Sequence, residues 1–276
     1  MKTLAPVILI HGMWATPDSL IDLRTEFEVQ GYRVFTPRLP FHLPRNEMND
    51  TTRNQLRLSG IDDYVESICQ LVASLPQRPI LVGHSLGGLL AQLVAAKHPC
   101  EKLILISSAA PAGINSWTWS VAKTFGHNLF RFPLWRSIIN LKLKNIRYGV
   151  ANSQTPQVQN HIAQQVTLES GRVSWQVAMW FLYKNPQTWV NTRNINCPVL
   201  VLGGTQDKIT PIGVQHKIAK KYGHKATLSE IKNACHWTIG GTFFPEISQT
   251  IFNWINKNSA IVCGKNGINT KPINLH

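Results

Sequence analysis

The chain has 276 residues, of which 43% are hydrophobic and 15% charged, with 28 Lys+Arg against 14 Asp+Glu and a net charge of +14. The apolar fraction excludes a disordered chain, the length suits one large domain or a domain with an insertion, and no apolar run reaches the roughly 18 residues of a membrane span. The charge is regional: residues 1–112 carry 10 basic and 10 acidic side chains, whereas 113–190 and 191–276 each carry an excess of +7. Cys69, Cys100, Cys197, Cys235 and Cys263 are odd in number and widely spaced, with no CxxC pair. That usage predicts a reducing, cytoplasmic setting with neither a disulfide framework nor a zinc site.

Short β-branched runs alternate with helical patterns along most of the chain, which predicts an α/β fold with a mostly parallel central sheet and helices on both faces. Leu4–Ile10 after Lys2 imitates a secretory signal, but the run is short, contains Pro6 and has no small-residue cleavage site, so Val7–Ile10 reads as the first strand. A helix over 18–30 ends at Gly31, and 32–36 follows as a strand. Ile61, Val65, Ile68 and Val72 have helical spacing closed by Pro76. Residues 79–82 read as a strand, 89–97 as a helix rich in small residues and 102–107 as a strand.

From about 111 to 194 the alternation stops, and six of the nine tryptophans lie there. Helices are expected over 117–130, 133–147 and 173–183, which makes 113–190 a helical cap inserted into a core of 1–112 and 191–258. Alternation resumes with a strand at 198–202, a helix near Pro211 capped by Thr210, a strand at 226–231 and a last helix over 245–257. Residues 259–276 are polar and Gly-punctuated, the pattern of a loose tail.

Between a strand and a helix lies Gly83-His84-Ser85-Leu86-Gly87-Gly88, a G-x-S-x-G turn in the context that gives it meaning. A serine on such a turn is forced into strained backbone angles, and its neighbours must be small for the turn to close. No dinucleotide or phosphate-loop motif is present. A serine hydroxyl needs a base, and the base an orienting acid. Asp207 follows the 198–202 strand through Gly203-Gly204 and is the sole aspartate after Asp63, while His236 follows the 226–231 strand. His216 and His224 compete as bases but read as solvated. His11-Gly12-Met13-Trp14 follows the first strand, where backbone N–H groups could meet an oxyanion. The candidates are Met13 and Leu86, with Trp14 as the alternative to Met13; His11 either orients this loop by hydrogen bonding or simply packs.

With these pieces in place the chain resembles the α/β-hydrolase superfamily, from the first strand to about residue 257. The resemblance implies a sheet of the eight-stranded type, of which six or seven strands can be placed here, and a cap over the active site. Ser85 argues against the dehalogenase branch, which uses an aspartate. The expected activity is a serine hydrolase cleaving a lipophilic carboxylic ester through Ser85, His236 and Asp207, with no metal or organic cofactor. Alternatives are a thioesterase, a carbon–carbon bond hydrolase, or a non-catalytic ligand-binding member of the fold. Residues 115–150 hold six cations, no carboxylate and interleaved aromatics. That pattern fits either an apolar pocket lining with solvated cations or docking on an anionic membrane surface. Nucleic acid is not an expected partner.

Overall fold

The computed structural model describes residues 4–129 and 132–264. Its centre is a six-stranded, wholly parallel sheet in the order β2-β1-β3-β4-β7-β8. The strands are β1 (Val7–Ile10), β2 (Val34–Phe35), β3 (Ile80–His84), β4 (Lys102–Ile106), β7 (Val199–Gly204) and β8 (Ala226–Ile231). β1, β3, β4 and β7 are buried along their whole length, because helices cover both faces of the sheet and leave no water-facing side.

The period-two geometry of a strand divides the core into two layers. Ile8, Leu81, Leu103, Leu105 and Val201 face one layer, packed against α3 (Ile61–Ser74), α4 (Leu86–Ala95) and α9 (Ile212–Tyr222). Leu9, Val82, Ile104, Ile106 and Leu202 face the other, against α1 (Ile21–Val29) and α10 (Phe244–Gly264). The smaller helix α2 (Asp50–Leu58) was not expected from periodicity. Its signal is Asn49, whose side chain accepts from Thr52 N–H at 2.9 Å as an N-cap.

The chain between β4 and β7 departs from the three helices expected there. α5 (Trp119–Leu129) is present, but 133–147 is not one helix. It holds a 3-10 turn at Leu134–Arg136, the strand β5 (Ile138–Asn140) and the one-turn α6 (Leu143–Asn145). β5 pairs antiparallel with β6 (Leu168–Ser170), matching Ile139 with Glu169. Ile138 and Ile139 are β-branched and stiff, and a three-residue run is too short for periodicity to separate strand from helix. α7 (Pro156–Gln165) was also missed, although Thr155 caps it and Pro156 opens it. α8 (Gly171–Ala178) ends earlier than expected and gives way to a 3-10 turn at Trp180–Leu182. A third apolar cluster, with Trp14, Leu134, Ile139, Leu141, Val150 and Ile162, joins this segment to the loop after β1.

At the other end α10 continues to Gly264, so 259–264 is helical and not loose; the rest of the expected tail lies outside the described residues. Cys69, Cys100, Cys197 and Cys235 are buried free thiols, and the Cys100 and Cys197 sulfurs lie 3.3 Å apart.

Ile104 is fully buried on β4, between β3 and β7. Replacing Ile104 with Ala should lower the unfolding free energy by about 2–5 kcal/mol, read from urea denaturation with an unchanged slope.

Candidate active site

β3 delivers Ser85 into a turn that only its neighbours allow. Ser85 has φ +55° and ψ −119°, a strained conformation for a residue with a side chain. A Cβ on Gly83 would sit 2.1 Å from the Gly87 carbonyl oxygen, and one on Gly87 would sit 2.1 Å from the Ile10 oxygen. Bare backbone at both positions lets the turn close and wedges the start of α4 against the end of β1. The Ser85 N–H is held by the Ile106 carbonyl at 3.0 Å, and the Ser85 carbonyl accepts from Ala109 N–H at 2.8 Å.

The loops after β7 and β8 are tied together in the same way. Gly204 packs against Ala234, whose carbonyl oxygen a Cβ would approach to 2.2 Å, and Gln206 N–H donates to that carbonyl at 2.9 Å. This brings Asp207 under His236. His236 Nδ1 lies 2.8 Å from Asp207 Oδ2, and His236 Nε2 lies 2.9 Å from Ser85 Oγ. An ionised Asp207 requires the proton on Nδ1, leaving the Nε2 lone pair facing the serine hydroxyl. The structure therefore brings Ser85, His236 and Asp207 together in one line. His216 and His224 are both exposed, and His216 pairs with Glu230 at 2.7 Å.

Asp207 is fully enclosed, and burial alone would raise its pKa. The facing His236 charge, the His236 hydrogen bond and the Ile209 and Thr210 amides outweigh that and hold it below the ordinary carboxylate value. Oδ1 accepts from both amides at 2.8 and 2.9 Å, and Oδ2 accepts from the Thr210 hydroxyl at 2.9 Å. Thr210 was expected to cap α9. The cap position is Pro211 instead, and the Thr210 hydroxyl serves the carboxylate. The spacing Asp207-x-x-Thr210 was the available signal.

Two buried histidines frame the site without sharing its proton chemistry. His84 Nε2–H donates to the His236 carbonyl at 2.9 Å and so fixes the backbone of the loop that carries His236. Burial and the adjacent His236 ring push His84 from 6.5 to about 3. His11 donates from Nδ1 to the Gly12 carbonyl at 3.0 Å and accepts from Leu39 N–H at 3.2 Å, so it does orient its loop by hydrogen bonds. Burial and the neighbouring His42 bring it from 6.5 to about 3 as well.

Ser85 opens into a cavity of about 150 Å³ lined by Met13, Trp14, Phe125, Ile139, Leu141 and Trp237, among others. No Lys, Arg, Asp or Glu side chain lines it among the described residues. Met13 and the first-turn amide of Leu86 border it, and α4 offers that amide no intrahelical acceptor. The Trp14 N–H is directed to Glu169 Oε2 at 3.4 Å instead. Among the described residues no three His, Cys, Asp or Glu side chains are grouped to hold a metal ion.

The model of the Alpha/beta hydrolase family matches residues 7–239. The chain belongs to the alpha/beta hydrolase family. It is 32% identical over 100 residues to a pyrethroid hydrolase from Sphingobium wenxiniae, and 34% identical over 85 residues to methylesterase 3 of Arabidopsis thaliana. These alignments span about a third of each relative, 32% and 30%, and 35% and 30% of this chain. Among solved structures, a monoacylglycerol lipase from Paleococcus ferrophilus superposes with a TM-score of 0.67 at 21% identity, covering 92% of this chain and 96% of that one. Its likeness concerns the fold of the family member described here.

The two buried histidines give the hydrolase fold an acid sensitivity. Between about pH 6.5 and 3 an unfolded chain protonates both rings while the folded chain does not, so unfolding takes up protons there. Stability should therefore fall as pH drops from 6.5, by about 1.4 kcal/mol per pH unit for each histidine. Urea midpoints at stepped pH will show this slope, and His84→Gln should lower it by about half.

Proposed function

We propose that the chain is a serine hydrolase of uncharged, lipophilic carboxylic esters, with residues 113–190 as a cap over the site and 1–112 with 191–258 as the core. The observation that carries this is the line Ser85 Oγ, His236 Nε2, Asp207 opening into a cavity without charged side chains. The esterase and lipase names of its relatives agree with it.

In this reading His236 Nε2 takes the proton from Ser85 Oγ as the oxygen bonds to the ester carbonyl carbon. Asp207 holds the ring in the required tautomer and stabilises the cation that forms. The Met13 and Leu86 amides receive the negative charge developing on the carbonyl oxygen. Both are backbone groups and need no side chain to be ordered. The engagement of Trp14 N–H by Glu169 favours Met13 over Trp14 as the first donor. His236 then gives its proton to the leaving alcohol oxygen as the carbon–oxygen bond breaks. Water, deprotonated by the same nitrogen, releases the acid and restores Ser85.

A fluorophosphonate should phosphonylate Ser85, and p-nitrophenyl acyl esters should be turned over, with Ser85→Ala losing both and about 10⁴-fold or more in kcat. Turnover of an acyl-CoA without any ester would assign a thioesterase, and failure to label folded protein would assign a ligand-binding member of the fold.

The exposed face of the cap also has a consistent chemistry. Lys123, Arg136, Lys142, Lys144, Arg147 and Lys184 are exposed, whereas the one carboxylate of 113–190, Glu169, is fully buried. Trp119, Phe181 and Leu182 are exposed by 83%, 56% and 61%, and Trp117 at the cavity rim donates its indole N–H to the Ala178 carbonyl just before Phe181. Exposed cations and exposed aromatics in the segment that also lines the cavity fit an anionic lipid surface from which an apolar ester would enter. No helix among the described residues is long and apolar enough to cross a membrane. Vesicles containing phosphatidylglycerol should bind the protein more tightly than neutral ones, less so at high salt and less so for Trp119→Ala; binding indifferent to lipid charge and salt would remove this surface role.

A further inference from the structure

Glu169 is a fully enclosed carboxyl group that the triad chemistry does not use. It is 0% exposed, and its four partners come from three other parts of the chain and from its own neighbour. Oε1 accepts from the Tyr64 hydroxyl of α3 at 2.9 Å and from Ser170 N–H at 2.7 Å. Oε2 accepts from His42 Nε2 at 3.0 Å and from Trp14 N–H at 3.4 Å. A carboxylate survives burial only where its oxygens are satisfied, and here both are satisfied twice. His42 is held from its other side as well, with Nδ1 at 3.1 Å from the Pro40 carbonyl. Burial, the Glu169 charge and its hydrogen bond push the Tyr64 phenol well above its ordinary value, which keeps it a donor.

The partner that matters for chemistry is Trp14. Its φ is +56°, a region that a bulky residue leaves unless its surroundings over-determine it. Three hydrogen bonds from the chain between β4 and β7 do so. Glu169 takes its N–H, Thr167 N–H donates to its carbonyl at 2.8 Å, and its indole N–H donates to the Ile139 carbonyl at 3.3 Å. From the core side, His42 stands edge-on to the His11 ring at 5.3 Å, and His11 holds the Gly12 carbonyl. Gly12 and Met13 are thus gripped between His11 on one side and the Trp14 clamp on the other.

The geometry points to Glu169 as a positioning residue: by binding the Trp14 N–H it fixes the backbone following Met13 and holds the Met13 amide on the developing oxyanion. The role rests on the hydrolase reading for its catalytic meaning, but the clamp on residues 12–15 stands or falls by itself. Oxyanion donors act on the transition state and hardly on the bound ester, so loosening one lowers kcat and leaves KM in place.

The experiment compares the parent with Glu169→Gln and the milder Tyr64→Phe, which removes one donor from the oxygen remote from Trp14. Rates on p-nitrophenyl butyrate are normalised to sites titrated with a fluorophosphonate, and amide hydrogen exchange is followed over residues 11–16. Glu169→Gln should lower kcat by about 10-fold or more with KM within about twofold, and Tyr64→Phe by about threefold, below the loss from deleting an oxyanion donor outright. Exchange of the 12–15 amides should accelerate in the same order while the β3 and β4 amides stay protected. If Glu169→Gln fails to fold, the Tyr64→Phe comparison decides by the same two readouts. Unchanged kcat per titrated site together with unchanged exchange at 12–15 would reduce Glu169 to a structural role and overturn the proposal. A parent that turns over no ester would instead fault the hydrolase reading, and the exchange data would still judge the clamp.

Discussion

Where α4 begins, Gly87 lies so close to β1 that a Cβ would stand 2.1 Å from the Ile10 carbonyl oxygen, and Gly83 lies as close to Gly87 itself. This backbone-on-backbone contact sets the height of Ser85 above the sheet and the distance from the serine to the loop carrying Met13. It also seats the first turn of α4, with the Leu86 amide, beside the serine. Every other feature of the site is arranged around a turn whose position two missing side chains determine. Gly204 repeats the device on the far side, letting the His236 loop lie against the end of β7 so that the imidazole reaches both Ser85 and Asp207.

The electrostatics follow from enclosure. His11, His84 and His236 crowd one region, yet the first two are held neutral by burial and by neighbouring rings and are used as fixed hydrogen-bonding blocks. Asp207 is kept ionised against the same burial by two amides, a hydroxyl and the imidazole. The result is a site in which the His236 ring faces the serine while the buried His11 and His84 rings beside it carry no competing charge. The net +14 of the chain plays no part inside the cavity, which has no Lys or Arg in its lining among the described residues.

Much of this was legible in the residues because strands buried on both faces leave unmistakable apolar runs, and because the turn at Ser85 tolerates so few side chains. Val7–Ile10, buried at every residue, and the Ser85, Asp207 and His236 positions fall in the structure where spacing puts them. The segment between β4 and β7 was less legible for a physical reason. Its strands are three residues each and find their partners across an intervening helix, so no local period announces them. Thr210 was misread because a hydroxyl before a helix has two uses, capping and carboxylate binding, and only the fold chooses between them. His42 carried no signal at all. Glu169 did carry one, as a single acid among eight bases in 113–190, a composition that asks why the acid is there.

The burial of that acid bears on what would follow if residues 113–190, proposed as a cap, were replaced by another segment. In the proposed reading 113–190 is an insertion joined to the core at both ends, and its exposed face carries cations and aromatics. Tyr64, His42 and the Trp14 amide all lie outside the insertion and all converge on one carboxylate inside it. A replacement of any length or selectivity would inherit that unfilled socket. Such a replacement would depend less on where the segment is cut than on whether the newcomer brings a matching acceptor to the same point.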